Sequence, residues 1–298
     1  MTFIRSLLFA PANRPELLKK FPRCAADAFV IDLEDGTPEY EKAAARHELP
    51  AIVGHLRDSR LQGLLLVRIN EAASAHADAD LEVALGADID GVVIPKLGAV
   101  PELQRIGAAL AAADRTGLLP REERGGGPLI VVGIIESIAG VMNAHAIATA
   151  DPRLRALCFG AEDFIAEMGG RRTGEGLEVL YARSRVVLAA TAAGVFPIDQ
   201  AVVNIRDDEA YRHDAVVGRD LGYGGKICLL PRQAELANEV FSPSAAEIES
   251  SRRLVAAYEA ARAQGRAVID YEGRMIDPPL LKHAQTVLAL ASRVQRTS

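Results

Sequence analysis

Charged side chains recur at one kind of place along this 298-residue chain, the end of a short apolar run. Asp32, Glu34 and Asp35 close AFVIDLED (28–35), and Arg68 and Asn70 close LLLVRIN (64–70). Lys96 lies in GVVIPKL (91–97), Glu136 ends LIVVGIIES (129–137), Glu162 and Asp163 end LRALCFGAED (154–163), and Asp199 lies in FPIDQAVVN (196–204). An ionised carboxylate at the mouth of so apolar a run as 129–135 is costly unless a cation meets it. Crowded carboxylates repel one another unless a proton or a metal intervenes. Magnesium takes one or two protein carboxylates and keeps its other positions for water or substrate oxygens. Glu136 and Asp163, from neighbouring strands, are the pair expected to share such an ion, with room left to chelate a 2-oxo acid through its carboxylate and ketone. The donor fork of Arg68 suits a developing enolate or thioester oxygen. That set fits carbon–carbon bond cleavage of the aldol type.

Each of these residues also has a plainer reading. Arg68 alone fits a rim ion pair with Glu34 or Asp35. Glu136 or Asp163 alone fits an acid favoured by the dipole of the helix that follows it. Asp32 fits a supporting group better than a ligand. Lys96 fits a substrate contact and a rim ion pair equally well. The joint placement of the acids at strand ends favours chemistry, because independent structural acids would not all fall there. His47, His55, His76, His145, His213 and His283 have no ligand spacing, and spacing alone gives no Ser–His–Asp set and no nucleophilic cysteine.

The elements that must position this set alternate. Eight apolar runs, SLLFAPA (6–12), AFVIDLED, LLLVRIN, GVVIPKL, LIVVGIIES, LRALCFGAED, FPIDQAVVN and GGKICLLP (224–231), are separated by amphipathic stretches such as PELQRIGAALAAADR and VLYARSRVVLAATAAG, the latter ending on Gly194. Runs this apolar suit parallel strands covered on both faces. Eight β–α units in about 240 residues predict a (β/α)8 barrel, whose C-terminal strand ends carry the active site. A doubly wound sheet is the competing architecture, but no glycine-rich dinucleotide fingerprint follows the first run. GRRTGEGLE (170–178) follows no predicted strand and is expected to be a loop, as is REERGGGP (121–128). The barrel is expected to occupy residues 1–241. Residues 242–298 are expected to form an appended lid or oligomerisation arm of helix, hairpin turning at Glu272–Gly273, and helix.

Composition narrows the function classes. A net charge of -6, with lysines and arginines scattered, leaves no basic footprint for nucleic acid and no polybasic membrane patch. No apolar stretch reaches the roughly 20 residues of a membrane span, and MTFIRSLLFAPANRPE lacks a small-residue cleavage site. Cys24, Cys158 and Cys228 lie far apart and read as small residues in a reducing cytoplasm.

RSLLFAPANRPE (5–16), VIDLEDGTP (30–38), VRIN (67–70), IIESIAGVMNA (134–144), FGAEDF (159–164), LGYGGKICLLPRQ (221–233) and GRMIDPP (273–279) together resemble the citrate lyase beta-subunit-like family. That family includes malyl-CoA and citramalyl-CoA lyases and lies within the HpcH/HpaI aldolase superfamily. The resemblance implies a (β/α)8 barrel holding Mg²⁺, or Mn²⁺, on Glu136 and Asp163. It implies substrate contact by Arg68; Glu136, Glu162 and Asp163 are the further candidate substrate contacts, and Asp32, Glu34 and Asp35 the candidate supporting groups. It implies that Asp277 reaches a neighbouring subunit's site from the C-terminal lid and moves a proton at the acetyl-CoA methyl carbon, although a helix N-cap is the plainer reading of Asp277. A homo-trimer or hexamer follows. Arg14 and Lys19 or Lys20 match the region that meets CoA phosphates. One departure is CLLPRQ, where Leu229 and Leu230 replace the Ile-His of the family's usual motif. The implied activity is cleavage of a short 3-hydroxyacyl-CoA, such as malyl-CoA or citramalyl-CoA, to a CoA ester and a 2-oxo acid. Alternatives are a hydrolytic thioesterase outcome, a citrate lyase beta subunit, a CoA-independent hydroxy-oxo acid aldolase, and a non-catalytic metabolite-binding relative.

Overall fold

The computed structural model describes residues 3–116, 127–265 and 268–297. The expected loop at 121–128 lies outside them except for its last two residues. Eight strands, β1 (Ser6–Pro11), β2 (Ala28–Asp32), β3 (Leu64–Arg68), β4 (Gly91–Ile94), β5 (Ile130–Ile135), β6 (Leu154–Phe159), β7 (Phe196–Asp199) and β8 (Gly225–Cys228), pair in chain order and close into a barrel. All the pairs are parallel, including β8 with β1. Each expected apolar run supplies one strand. The helices are α1 (Pro15–Leu18), α2 (Lys42–Asp58), α3 (Ala77–Leu85), α4 (Val100–Arg115), α5 (Ile138–Ala148), α6 (Ala161–Met168), α7 (Leu177–Ala193), α8 (Asp208–Leu221) and α9 (Pro231–Val240). GRRTGEGLE is a loop up to Gly176, and Gly194 ends α7 with φ +71, a conformation open to glycine at no steric cost.

The barrel interior follows from strand parity. Successive side chains of a strand point to opposite faces. Val30, Leu66, Val132, Ile134, Cys158, Ile198 and Ile227 share one buried apolar cluster inside the barrel. Two positions beyond Val30, Leu66 and Ile134 stand Asp32, Arg68 and Glu136. The register also pairs Asp32 with Arg68 across β2 and β3. Apolar packing inside the strands therefore aims these three charged side chains at the C-terminal mouth.

The chain divides into two compact units, Met1–Asn238 and Glu239–Ser298. The second contains α10 (Ala245–Arg262), a hairpin of β9 (Ile269–Tyr271) and β10 (Arg274–Ile276), and α11 (Pro278–Thr297). Its core joins Tyr258, Ala261, Ile269 and Ile276. The hairpin turns at Glu272 (φ +52) and Gly273 (φ +74), as a tight two-residue turn requires. Among the described residues no helix is long and apolar enough to cross a membrane.

Candidate active site

Asp32 organises the end of β2. Its Oδ1 accepts the Glu34 N–H and its Oδ2 the Gly36 N–H, each at 2.9 Å. A Cβ on Gly36 would stand 2.3 Å from that Oδ2, so only glycine permits the turn. Arg68 then donates from Nε and Nη2 to the two Asp32 oxygens, both at 2.6 Å. This bidentate geometry fixes the plane of the guanidinium. Arg68 Nη1 lies 3.0 Å from Glu34 Oε2. That contact is an ion pair by distance without hydrogen-bond alignment, and Glu34 Oε2 is otherwise buried and unpartnered. The Arg68 guanidinium stands over the Phe9 ring, 5.3 Å from its centroid. Burial works against its charge, but Asp32, then Glu34 and Glu136, outweigh burial and hold it above its usual range.

Glu136 follows β5, one residue before Ser137, whose side chain caps α5 by accepting the Gly140 N–H at 3.0 Å. Its Oε1 accepts the backbone N–H of Lys96 at 2.7 Å. The carboxylate is buried, and burial followed by the charge of Asp163 pushes it up to about 7. Asp163 sits in the first turn of α6, not at the strand end expected from the sequence, since β6 stops at Phe159. Gly160 joins the two, and a Cβ there would lie 2.5 Å from Glu136 Oε2. The missing side chain keeps that oxygen accessible. Lys96 Nζ bonds Glu34 Oε1 at 2.7 Å and lies 3.7 Å from Asp35 Oδ2, so Lys96 forms the rim ion pair that was one of its two readings.

Asp32, Asp35, Arg68, Glu136, Glu162 and Asp163 line one cavity of about 440 Å³ over the apolar floor of Phe9, Ile134, Ile227 and Leu229. Glu162 pairs with Arg172 at 3.0 Å on the rim. Arg14 pairs with Glu16 at 2.5 Å, and Lys19 is exposed; neither lines the cavity. Asp277 caps α11 within the second unit, its Oδ1 accepting the Leu280 N–H at 3.2 Å.

Asp199 corrects the sequence expectation. Its neighbours Phe196 and Ile198 face the barrel interior, so parity turns Asp199 outward towards the helices. There it meets Arg183 Nη2 at 2.5 Å and Lys226 Nζ at 2.8 Å, fully buried. Asn70 is also drawn away from the cavity, bonded to Lys42 and Asp80. Gly36, Gly160 and the Lys96 backbone were not singled out from the sequence. The two glycines carry a signal, since each adjoins an acidic strand end, whereas the backbone torsion of Lys96 carries none.

Among the described residues no group of three or more His, Cys, Asp or Glu side chains is placed to hold a metal. Glu136 and Asp163 nonetheless fit a hard divalent cation. Both donors are oxygens, and Glu136 is buried and strained by its acidic neighbour. Two protein carboxylates, with the remaining positions left to water or ligand, are what magnesium takes.

Comparison with known proteins gives the chain's relatives. Residues 5–231 match the family described as HpcH/HpaI aldolase/citrate lyase. A citrate lyase subunit beta-like protein of Deinococcus radiodurans is 41% identical, with 96% of each chain covered. An L-malyl-CoA/beta-methylmalyl-CoA lyase of Cereibacter sphaeroides is 33% identical, over 97% of this chain and 95% of that one. The crystal structure of CitE from Mycobacterium tuberculosis in complex with magnesium, acetoacetate and coenzyme A superposes with a TM-score of 0.76 at 30% identity, covering 96% of this chain and 97% of that one.

Proposed function

The chain belongs to the HpcH/HpaI aldolase/citrate lyase family and is a carbon–carbon lyase, and from that premise we propose that it cleaves a short 3-hydroxyacyl-CoA, such as malyl-CoA or citramalyl-CoA, to a CoA ester and a 2-oxo acid. The observation that carries this reading is the meeting of Glu136, Asp163 and Arg68 in one cavity at the C-terminal ends of the strands. Glu136 and Asp163 would hold magnesium, or manganese in its place. A bound divalent ion supplies Lewis acidity towards the oxygens of a 2-oxo acid. The CitE crystal structure with magnesium and coenzyme A supports both ligands.

The remaining work falls to this chain's own side chains. A guanidinium has five N–H donors. Asp32 takes two and Glu34 faces a third, so Arg68 has two left on Nη1 and Nη2 for an oxygen that gains charge as the carbon–carbon bond breaks. The donors are held before the reaction begins, which is where such stabilisation is most effective. Phe9, Ile134, Ile227 and Leu229 give the cavity a floor without polar groups. Glu162 stands at its rim as a further substrate contact. Asp277, in the second unit, is assigned to move a proton at the carbon next to the thioester, acting on a neighbouring copy in a homo-trimer or hexamer. Arg14 and Lys19 are assigned to the CoA phosphates. The three free cysteines suit a reducing cytoplasm.

The test is incubation with Mg²⁺ and a panel of acyl-CoA esters while any 2-oxo acid is trapped with phenylhydrazine. Release of glyoxylate or pyruvate with a free CoA ester is expected. Turnover of a free hydroxy-oxo acid, with none of any CoA ester, would sink the proposal. A citryl-thioester lyase subunit is the second reading, favoured by relatives named citrate lyase subunit beta at 31% identity; oxaloacetate from citryl-CoA in the same panel would select it.

A further inference from the structure

We propose that Lys96 is a positioning residue for both halves of this site, acting on Glu136 through its backbone and on Arg68 through its ammonium group. The proposal rests on the reading of Glu136 as a metal ligand and Arg68 as a substrate contact.

Lys96 has φ +49, and non-glycine residues in that region are uncommon and cluster at functional sites. Among the described residues Arg60 and Glu272 are the other two such positions. At Lys96 the left-handed turn directs two consecutive N–H groups at β5. The Lys96 N–H donates to Glu136 Oε1 at 2.7 Å, and the Leu97 N–H donates to the Ile134 carbonyl at 3.0 Å. One oxygen of Glu136 is thereby held, and the space kept by Gly160 adjoins the other, Oε2. On the second side, Lys96 Nζ holds Glu34 Oε1, while Glu34 Oε2 faces Arg68. Lys96 thus links the carboxylate that would hold the metal to the guanidinium that would hold the substrate.

Three variants in the full chain separate the two actions. Lys96→Met removes the ammonium and leaves the backbone preference unchanged. Lys96→Arg keeps a cation. Lys96→Val adds a β-branch, which tolerates a positive φ poorly. Magnesium affinity is read by calorimetry, and turnover on the acyl-CoA cleaved by the unaltered protein. K96M should bind magnesium within threefold of the parent and lose tenfold or more in kcat, and K96R should recover most of that loss. K96V should bind magnesium at least tenfold more weakly than K96M. Equal magnesium affinity in K96V and K96M overturns the backbone role, and parental turnover in K96M overturns the ammonium role. Should K96V not fold, K96M and K96R still decide: a K96M loss of magnesium affinity as large as its loss of turnover overturns the proposal. Absence of magnesium binding by the unaltered protein is a separate outcome, which removes the metal reading and this inference with it.

Discussion

Burial and then Asp163 push the Glu136 carboxyl up to about 7, against the Lys96 N–H and Arg68. Strand parity continues from Val132 and Ile134 to aim it inward, and Asp163 meets it there. A cation relieves both the burial and the repulsion, so loss of this charge reports directly on the ion. Glu136→Gln keeps the side chain's shape and should lower magnesium affinity by more than about 100-fold, beyond the 10–100-fold usual for a group that only orients a ligand. Unchanged affinity by calorimetry would place the ion elsewhere. Asp32 acts on the other partner. Asp32→Asn breaks the bidentate grip on Arg68, and charged hydrogen bonds of this kind contribute about 1.5–3 kcal/mol each. Turnover should fall roughly 10- to 100-fold, the size that 1.4–2.8 kcal/mol implies, with magnesium affinity kept. A fall in magnesium affinity equal to the fall in turnover would show that Asp32 supports the metal and not the arginine.

Beyond single residues, the eight strands were legible because each is one apolar run, and the inward aim of Glu136 because Val132 and Ile134 precede it at even spacing. The same parity applied to Phe196 and Ile198 would have turned Asp199 outward, so that error lay in counting strand ends without counting faces. Two features were out of reach of any pattern. The pairing of Asp32 with Arg68 depends on the register between β2 and β3, and the hold on Glu136 depends on one backbone torsion at Lys96. Asp199 instead belongs to a clasp of Arg183, Lys226 and Asp214 that ties β7 and β8 to α7 and α8. Burial alone would raise the Asp214 carboxyl, but Lys226 and Arg183 outweigh it and hold it below the usual range. A carboxyl lowered on folding adds stability above its unfolded pKa, near 3.9, and loses it as pH falls through the folded value. Asp214→Asn should therefore lower the melting temperature at pH 7, with the gap to the parent closing below about pH 4. An equal gap at pH 3 and pH 7 would mean that the clasp does not depend on this charge.

At the scale of the whole molecule, the family match stops at residue 231, short of the second unit, which begins at Glu239. Yet relatives align over 96% and 97% of the chain, which leaves too few residues for that unit to fall outside the likeness. In these two relatives the barrel and the C-terminal unit therefore recur together, as expected if the smaller unit supplies something the barrel lacks. Asp277 is the residue assigned that part, and its cap on α11 complicates the usual substitution. Asp277→Ala would remove an acid and also a cap whose loss costs about 0.5–2 kcal/mol. Asp277→Ser keeps a capping oxygen and removes only the acid, so D277S should melt like the parent and lose nearly all turnover. Delivery from one copy to another then has a test of its own. Arg68→Ala and D277S should each be inactive alone. Co-expressed, they should assemble sites in which a D277S barrel keeps Arg68 and receives Asp277 from an R68A neighbour. Random mixing would give roughly a quarter of parental turnover, because half the barrels keep Arg68 and half their neighbours keep Asp277. If Asp277 serves its own barrel, every mixed assembly contains only defective sites, and co-expression restores nothing.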